Sequence, residues 1–271
     1  MTVYKKEKPE NLEKSLSSLE NQTLLPNEIV IVEDGQLGKS LDNVIKRHKL
    51  LLRNIYKIII LKENHGRGYA SRIGIKYISN NWVARMDSDD ISCKDRFRLQ
   101  IEAVNRYRKK YPRLAVVGGQ VSEFVDAEYN IVGYRKVPLD PKKIKKFAAY
   151  RSPINNPTVM INKHALLDIG SYSNLNILED YDLWIRFMSA NYVLVNIPNV
   201  LVNMRVNNSM YRRRGGVKYL YTYIKQKNIW KRQGIGSNWT VILSSLAMFG
   251  SSLFPVSIRK ALYHKILHKR R

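Results

Sequence analysis

Three carboxylates crowd into four residues at Asp87-Ser88-Asp89-Asp90, directly after the mainly apolar run 82–86. Like charges at that spacing repel, and folding offsets the cost by bringing a cation among them. Carboxylate oxygens are hard ligands, so the expected cation is Mg²⁺ or Mn²⁺, held by Asp87 and Asp89. Waters and the oxygens of a substrate diphosphate would complete its shell. The plainer alternative is a polar turn in which Asp90 or Ser92 caps the next helix.

A second acidic group, Glu179-Asp180-Tyr181-Asp182, opens a stretch with helical periodicity. Acids in a first turn complement the helix dipole. A carboxylate fixed there is also placed to accept a hydroxyl proton as a general base. The third group is Ile31-Val32-Glu33-Asp34-Gly35, again at the end of an apolar run. Ligands of open α/β sheets bind beyond the carboxyl ends of the strands. Asp34 and Asp87 should then face one crevice, with Asp34 taking hydrogen bonds from a base or ribose. A simple Asp-Gly turn is the competing explanation. Gly66, Gly68 and Gly74 suggest a loop opening a helix, which suits phosphate. The Lys-Ser/Thr pair of a P-loop is missing, which excludes that kind of ATPase.

These groups need elements to hold them. Short apolar runs alternate with amphipathic stretches through the first two-thirds of the chain, the pattern of a mostly parallel sheet flanked by helices. Strands are expected at 28–33, 57–61, 82–86, 114–117, 158–161, 192–197 and 200–204. Helices are expected at 9–22, 68–79, 95–111 and 179–190. The chain divides into a nucleotide-binding part (about 1–120), an acceptor-binding part (about 121–210) and a basic helical C-terminal extension (211–271).

The 271 residues carry a net charge of +25, and 211–271 hold fourteen Lys or Arg with no Asp or Glu. Such a tail favours a polyanion: nucleic acid, acidic lipid or an anionic glycan. No helix-turn-helix or stacking platform is visible, so nucleic acid is not the expected partner. Residues 239–256 are uncharged but interrupted by serines, Gly250 and Pro255, which suits a membrane-surface segment better than a span. Cys93 is the single cysteine and excludes an internal disulfide. The polar start, 1–10, shows no signal-peptide pattern, so the expected location is cytoplasmic, peripheral on the inner face of the cell membrane.

In this order the motifs resemble the family 2 glycosyltransferases of GT-A fold, over about 210 residues, and above all enzymes of capsule, O-antigen and exopolysaccharide assembly. Val3-Tyr4-Lys5-Lys6-Glu7 resembles the family's opening strand, although that strand is short here. The run 28–35 resembles the strand whose acid contacts uridine, and 64–74 the loop and helix near the nucleotide. Asp87-Ser88-Asp89 resembles the Asp-x-Asp metal motif. Within Asp180-Tyr181-Asp182-Leu183-Trp184, Asp180 matches the catalytic base. Asn156 stands where relatives often have His.

The resemblance implies a Rossmann-like, mostly parallel sheet and an inverting hexosyltransferase that moves a sugar from a nucleotide-sugar, expected to be a UDP-sugar. The acceptor would be a hydroxyl of a lipid-linked or growing surface polysaccharide. Val3, Tyr4, Glu7, Asn64, Gly68, Arg72 and Ser88 would join Asp34 and Asp87 around the donor. Asp89 would touch the metal directly, with Asp87 on the metal or the ribose. Glu179, Trp184, Asn156, Arg212 and Arg213 are candidates for acceptor or phosphate contacts. The alternatives are a nucleic-acid-binding basic protein and a nucleotidyltransferase, which would release pyrophosphate rather than UDP.

Overall fold

The computed structural model describes residues 1–52, 54–173, 175, 177–207 and 215–254. Arg212 and Arg213 lie outside the described residues, as does the chain after 254. The first sheet comprises β1 (Thr2–Val3), β2 (Ile29–Glu33) and β3 (Tyr56–Ile60), all parallel. Helix α1 (Pro9–Glu20) links the first two strands and α2 (Lys39–Leu51) the second pair. All five residues of β2 are buried, as expected for a strand covered on both faces. Leu12, Leu16 and Leu19 fall on one face of α1 and bury it against this sheet.

Helix α3 (Arg67–Lys76) leads into β4 (Trp82–Ala84); β5 (Ile91–Ser92) and α4 (Arg96–Lys110) follow the acidic motif. The second sheet runs β4-β8-β6-β9-β5, with β7 paired to β6. Its long strands are β6 (Leu114–Phe124) and β9 (Val193–Arg205); β7 is Ile131–Arg135 and β8 Met160–Asn162. A bridge between Thr2 and Asp87 joins the two sheets. Parallel pairing holds through β1–β3 and between β6 and β9, while the other pairs are antiparallel. The pairing is thus mixed rather than mostly parallel as expected: Asp34 follows β2 of the parallel sheet, while Asp87 to Asp90 follow β4 of the mixed one.

Helices α5 (Pro141–Ala148), α6 (Lys163–Asp168) and α7 (Glu179–Ser189) pack on the second sheet, followed by α8 (Val217–Arg232) and α9 (Asn238–Leu253). Two differences from the sequence reading have local causes. The expected strands 192–197 and 200–204 are one strand, since the exposed pair Pro198 and Asn199 is absorbed by an irregularity opposite Gly118–Gln120 in β6. The division expected near residue 120 falls inside β6, which is buried along its whole length, so no boundary between elements lies there.

The edge of β2 next to β1 is only partly covered, because β1 pairs just two residues. A hollow of about 400 Å³ lies alongside, lined by Val30, Val32, Ile75, Trp82, Ala84 and Met86 among others. At its margin the Met1 amino group donates to the Val30 carbonyl at 2.9 Å. Burial, aided by Arg85, holds that amine down at about 5.

Helix α8 is fastened to the core by a buried lysine. Lys227 Nζ donates to the Ala149 carbonyl at 2.6 Å and the Tyr181 hydroxyl at 3.0 Å, beside the rings of Tyr181, Tyr223 and Trp230. Burial lowers its pKa to about 7. Between pH 7 and the ordinary lysine range, the unfolded chain therefore holds a proton that the folded chain has released. Stability drawn from this site rises with pH across that window, by at most about 1.4 kcal/mol per pH unit. Urea denaturation of wild type and Lys227→Met from pH 7 to 10 is expected to show the wild type gaining on the variant as pH rises.

Candidate active site

The carboxyl ends of β2 and β1 and the chain following β4 lie side by side. Val3 pairs with Glu33 and Thr2 with Asp87, so the stretches bearing Asp34 and Asp87 flank the β1 end. Asp34 and Asp87 thus open on the same edge, as expected.

Asp34 is buried, and its carboxylate accepts from His65 N at 2.8 Å, Gly66 N at 2.9 Å and Asn64 Nδ2 at 2.9 Å. Two of the loop amides expected to cradle phosphate are therefore already satisfied by Asp34, and Asn64 serves as a clamp within the loop. This close fit depends on Gly35, whose φ is +85° and whose added Cβ would stand 3.0 Å from Asn64 N. Gly35→Ala is expected to destabilise the fold by about 2 kcal/mol, the scale for a side chain forced left-handed. A lowered urea midpoint with weaker donor binding would register it. Val3 is a correction to the donor list: its side chain is 1% exposed, and its carbonyl accepts from Asp34 N at 2.8 Å. It positions Asp34 and offers no side-chain surface to a ligand.

Glu7 and Ser88, expected near the nucleotide, bond each other: Ser88 Oγ donates to Glu7 Oε2 at 2.6 Å. The other Glu7 oxygen accepts from Lys8 N and Asn11 Nδ2, tying the start of α1 to the acidic motif. Tyr4 is exposed nearby in sequence, and Arg72 stacks its guanidinium over Tyr69 on α3. Gly68 sits in the first turn of α3, facing the Ser173 carbonyl.

The three motif aspartates differ sharply in their surroundings. Asp87 meets Arg85 at 3.3 Å and Arg67 at 3.7 Å. Burial opposes its charge, but these arginines win and hold its carboxyl below the usual range. Asp90 is buried and accepts from Arg205 N at 2.9 Å; burial, Asp89 and Asp87 raise it well above that range. It anchors β9 rather than capping a helix, and α4 begins at Arg96 with no side-chain cap. Asp89 is raised to about 6 by burial, Asp87 and Glu7, against the smaller pull of its own backbone N–H and of Arg205.

Asp89 is thus a carboxylate that its surroundings crowd with negative charge. No cluster of three or more His, Cys, Asp or Glu side chains is arranged for a metal among the described residues. Asp89 and Asp87 are the side chains here that could hold a divalent cation, with water and a substrate phosphate completing its shell.

Arg67 connects this motif to the base candidate. Its guanidinium reaches Asp87 on one side and Glu179 at 2.7 Å on the other. Burial works against its charge, yet Asp87, Glu179 and Asp180 together raise its pKa. Glu179 is therefore committed to Arg67 rather than facing an acceptor. Sequence reasoning missed Arg67 and Arg85; each lies within or next to a motif it did single out.

Leu178, with φ +65°, precedes α7 in the left-handed conformation. Asp180 follows at the helix start, half-buried, its Oδ1 accepting from Tyr181 N at 2.8 Å. Its neighbours are spoken for. Asp182 accepts from Arg186 Nε at 2.8 Å and Trp230 Nε1 at 3.1 Å, and Tyr181 donates to the Ala148 carbonyl. Trp184 is a second correction: it is fully buried in the core with Phe187 and cannot touch an acceptor. Asn156 is buried in a short 3-10 turn before β8, with Oδ1 lacking a partner. It lies three residues before Val159, whose carbonyl accepts from Arg85 N.

The family model for Glycosyl transferase family 2 matches residues 1–168. The amylovoran biosynthesis glycosyltransferase AmsE of Erwinia amylovora is 35% identical over 98% of this chain and 97% of its own. The UDP-Gal:alpha-D-GlcNAc-diphosphoundecaprenol beta-1,3-galactosyltransferase of Escherichia coli is 31% identical over 99% of this chain and 95% of its own. Among solved structures, the mannosyltransferase PcManGT of Pyrobaculum calidifontis superposes with a TM-score of 0.61 at 15% identity, covering 98% of this chain and 79% of its own. That likeness bears on the fold alone. The matched stretch runs from β1 to the end of α6, while the two sequence relatives extend the likeness through α7 and Asp180. The chain belongs to glycosyl transferase family 2 and is a glycosyltransferase of GT-A fold.

Proposed function

We propose that the chain is a metal-dependent, inverting hexosyltransferase that moves a sugar from a UDP-sugar to a hydroxyl of a lipid-linked or growing surface polysaccharide. The observation that carries this reading is the Arg67 bridge, which links the Asp-x-Asp motif to the helix start bearing Asp180. The E. coli relative is named for a UDP-Gal donor and a GlcNAc-diphosphoundecaprenol acceptor, in support of both substrate classes.

In this reading Asp89 and Asp87 would hold Mn²⁺ or Mg²⁺, which would supply neutralising charge to the donor diphosphate. Asp34 fixes the loop 64–66, and its remaining lone pairs address uracil or ribose. Tyr4, Glu7, Arg72 and Ser88 border the donor, and Asn156 lies toward the acceptor. The free oxygen of Asp180 takes the proton of an acceptor hydroxyl as the hydroxyl's own oxygen bonds to C1 of the sugar. The bond from C1 to the diphosphate breaks, UDP leaves, and one displacement inverts the anomeric centre. Residues 1–120 serve the donor and 121–210 the acceptor. The enzyme works at the inner face of the cell membrane.

Calorimetric titration with UDP- and GDP-sugars, with and without Mn²⁺, tests the donor reading. Metal-dependent binding of a UDP-sugar is the expected result. Binding of GDP-sugars alone would overturn the donor assignment, and binding of no nucleotide-sugar would overturn the whole reading.

A further inference from the structure

Helix α9 turns its apolar residues outward. Trp239, Ile242, Leu243, Leu246 and Phe249 recur at steps of three, one, three and three, which places them on one helix face. All five are between 48% and 72% exposed. The inward face mixes serines with the partly buried Val241 and Met248. Ser244 and Ser252 are buried, Ser244 Oγ bonds the Thr240 carbonyl, and the hydroxyls of Ser245 and Ser252 have no partner. A helix of a water-soluble surface has the reverse arrangement. The order is firmly set, because Ser237 and Thr240 form a reciprocal cap at its start.

The surroundings of this stripe are basic. Lys231 Nζ bonds Asn238 Oδ1 at 2.8 Å at the head of the helix. A hollow of about 450 Å³ at the same end is lined by Lys142, Lys145 and Lys146 of α5 together with Gly234–Ser237 and Thr240. Helix α9 itself has no charged residue, and none of 211–271 is acidic. A second copy would bring its own charge of +25 against this face. No described helix is long and apolar enough to cross a membrane.

We propose that α9 lies in the plane of a bilayer rich in anionic lipid, with its Trp239-to-Phe249 stripe among the acyl chains and Lys142, Lys145, Lys146 and Lys231 on the headgroups. The charge sets the lipid class, and the uncharged outward stripe sets the depth. This deepens the membrane-surface reading above, on which it rests. It also orients the enzyme. Helix α5 ends at Ala148, whose carbonyl receives the Tyr181 hydroxyl, so the lysine-bearing helix abuts the helix that carries Asp180.

Flotation of the full chain with vesicles of phosphatidylglycerol and phosphatidylethanolamine, against vesicles of phosphatidylcholine alone, tests the proposal. The variant combines Leu243→Ser, Leu246→Ser and Phe249→Ser, all at exposed positions. Wild type is expected to bind the anionic vesicles, with Trp239 emission shifting to the blue. The variant should lose about a hundred-fold in partitioning while its melting temperature and its turnover of a water-soluble acceptor stay unchanged. Equal binding by wild type and variant would overturn the role of α9 and leave the membrane reading standing. Absence of wild-type binding to either vesicle would overturn both. A wild-type dimer that the variant converts to monomer, without vesicle binding, would assign the stripe to a second copy and overturn the proposal.

Discussion

Asp180→Asn is expected to lower turnover by about 10²- to 10⁴-fold, the range for loss of a general base, while donor affinity stays within about twofold. The substitution keeps the shape and the oxygen that accepts from Tyr181 N, so the start of α7 is preserved. It removes only the capacity to take a proton. The neighbouring carboxylates are poor substitutes for it. Glu179 is bound to Arg67, and Asp182 to Arg186 and Trp230. Single-turnover measurement with saturating donor separates chemistry from binding. Near-normal turnover in the variant would move the base to another residue.

Asp89→Ala is expected to abolish the Mn²⁺ dependence of donor binding and to lower kcat/KM on the order of a thousand-fold, about 4 kcal/mol of lost charge stabilisation. The contrast with its neighbours makes the prediction specific. Asp87 is paired with Arg85 and Arg67, and Asp90 holds β9 through Arg205 N, so replacing either also disturbs the fold. For Asp89 burial and the like charges of Asp87 and Glu7 outweigh the pull of Arg205, whose hydrogen bond goes to the Asp89 carbonyl and survives replacement by Ala. Removal of the Asp89 carboxylate should leave the urea midpoint unchanged or raise it, as expected where a site is arranged for a ligand rather than for stability. Titration calorimetry with and without Mn²⁺, beside urea denaturation, reads both effects. Retained metal-dependent binding would place the metal on other residues.

Much of this site was legible because its residues cluster in sequence. Helix α7 spans Glu179–Ser189 against an expected 179–190, and β2 spans Ile29–Glu33 against an expected 28–33. In both, hydrophobic periodicity and a local acidic motif coincide. Helix α2 was not anticipated, although Leu41, Val44, Ile45 and His48 form its buried face. It starts after Gly38 without a side-chain cap, so the usual opening signal is missing. The arginines were harder to foresee. Arg67 and Glu179 are 112 residues apart, and only tertiary folding pairs them. The glycine loop shows the converse: its composition suggested a free phosphate cradle, while Asp34, at the end of the adjacent strand, takes two of its amides. Trp184 belongs to the same motif as the proposed base, yet its size and apolar ring send it to the core.

The lone cysteine closes a different question. Cys93 is half-buried, its Sγ lies 3.7 Å from Asn203 Oδ1, and burial pushes its thiol up despite nearby Arg96. A thiol of that kind is a poor nucleophile near neutral pH, because the thiolate is the reactive form. The natural chain is therefore a quiet background for maleimide chemistry. A cysteine introduced at Leu246 or Phe249 would take a fluorescent or spin label ahead of Cys93, without prior mutation of the native residue.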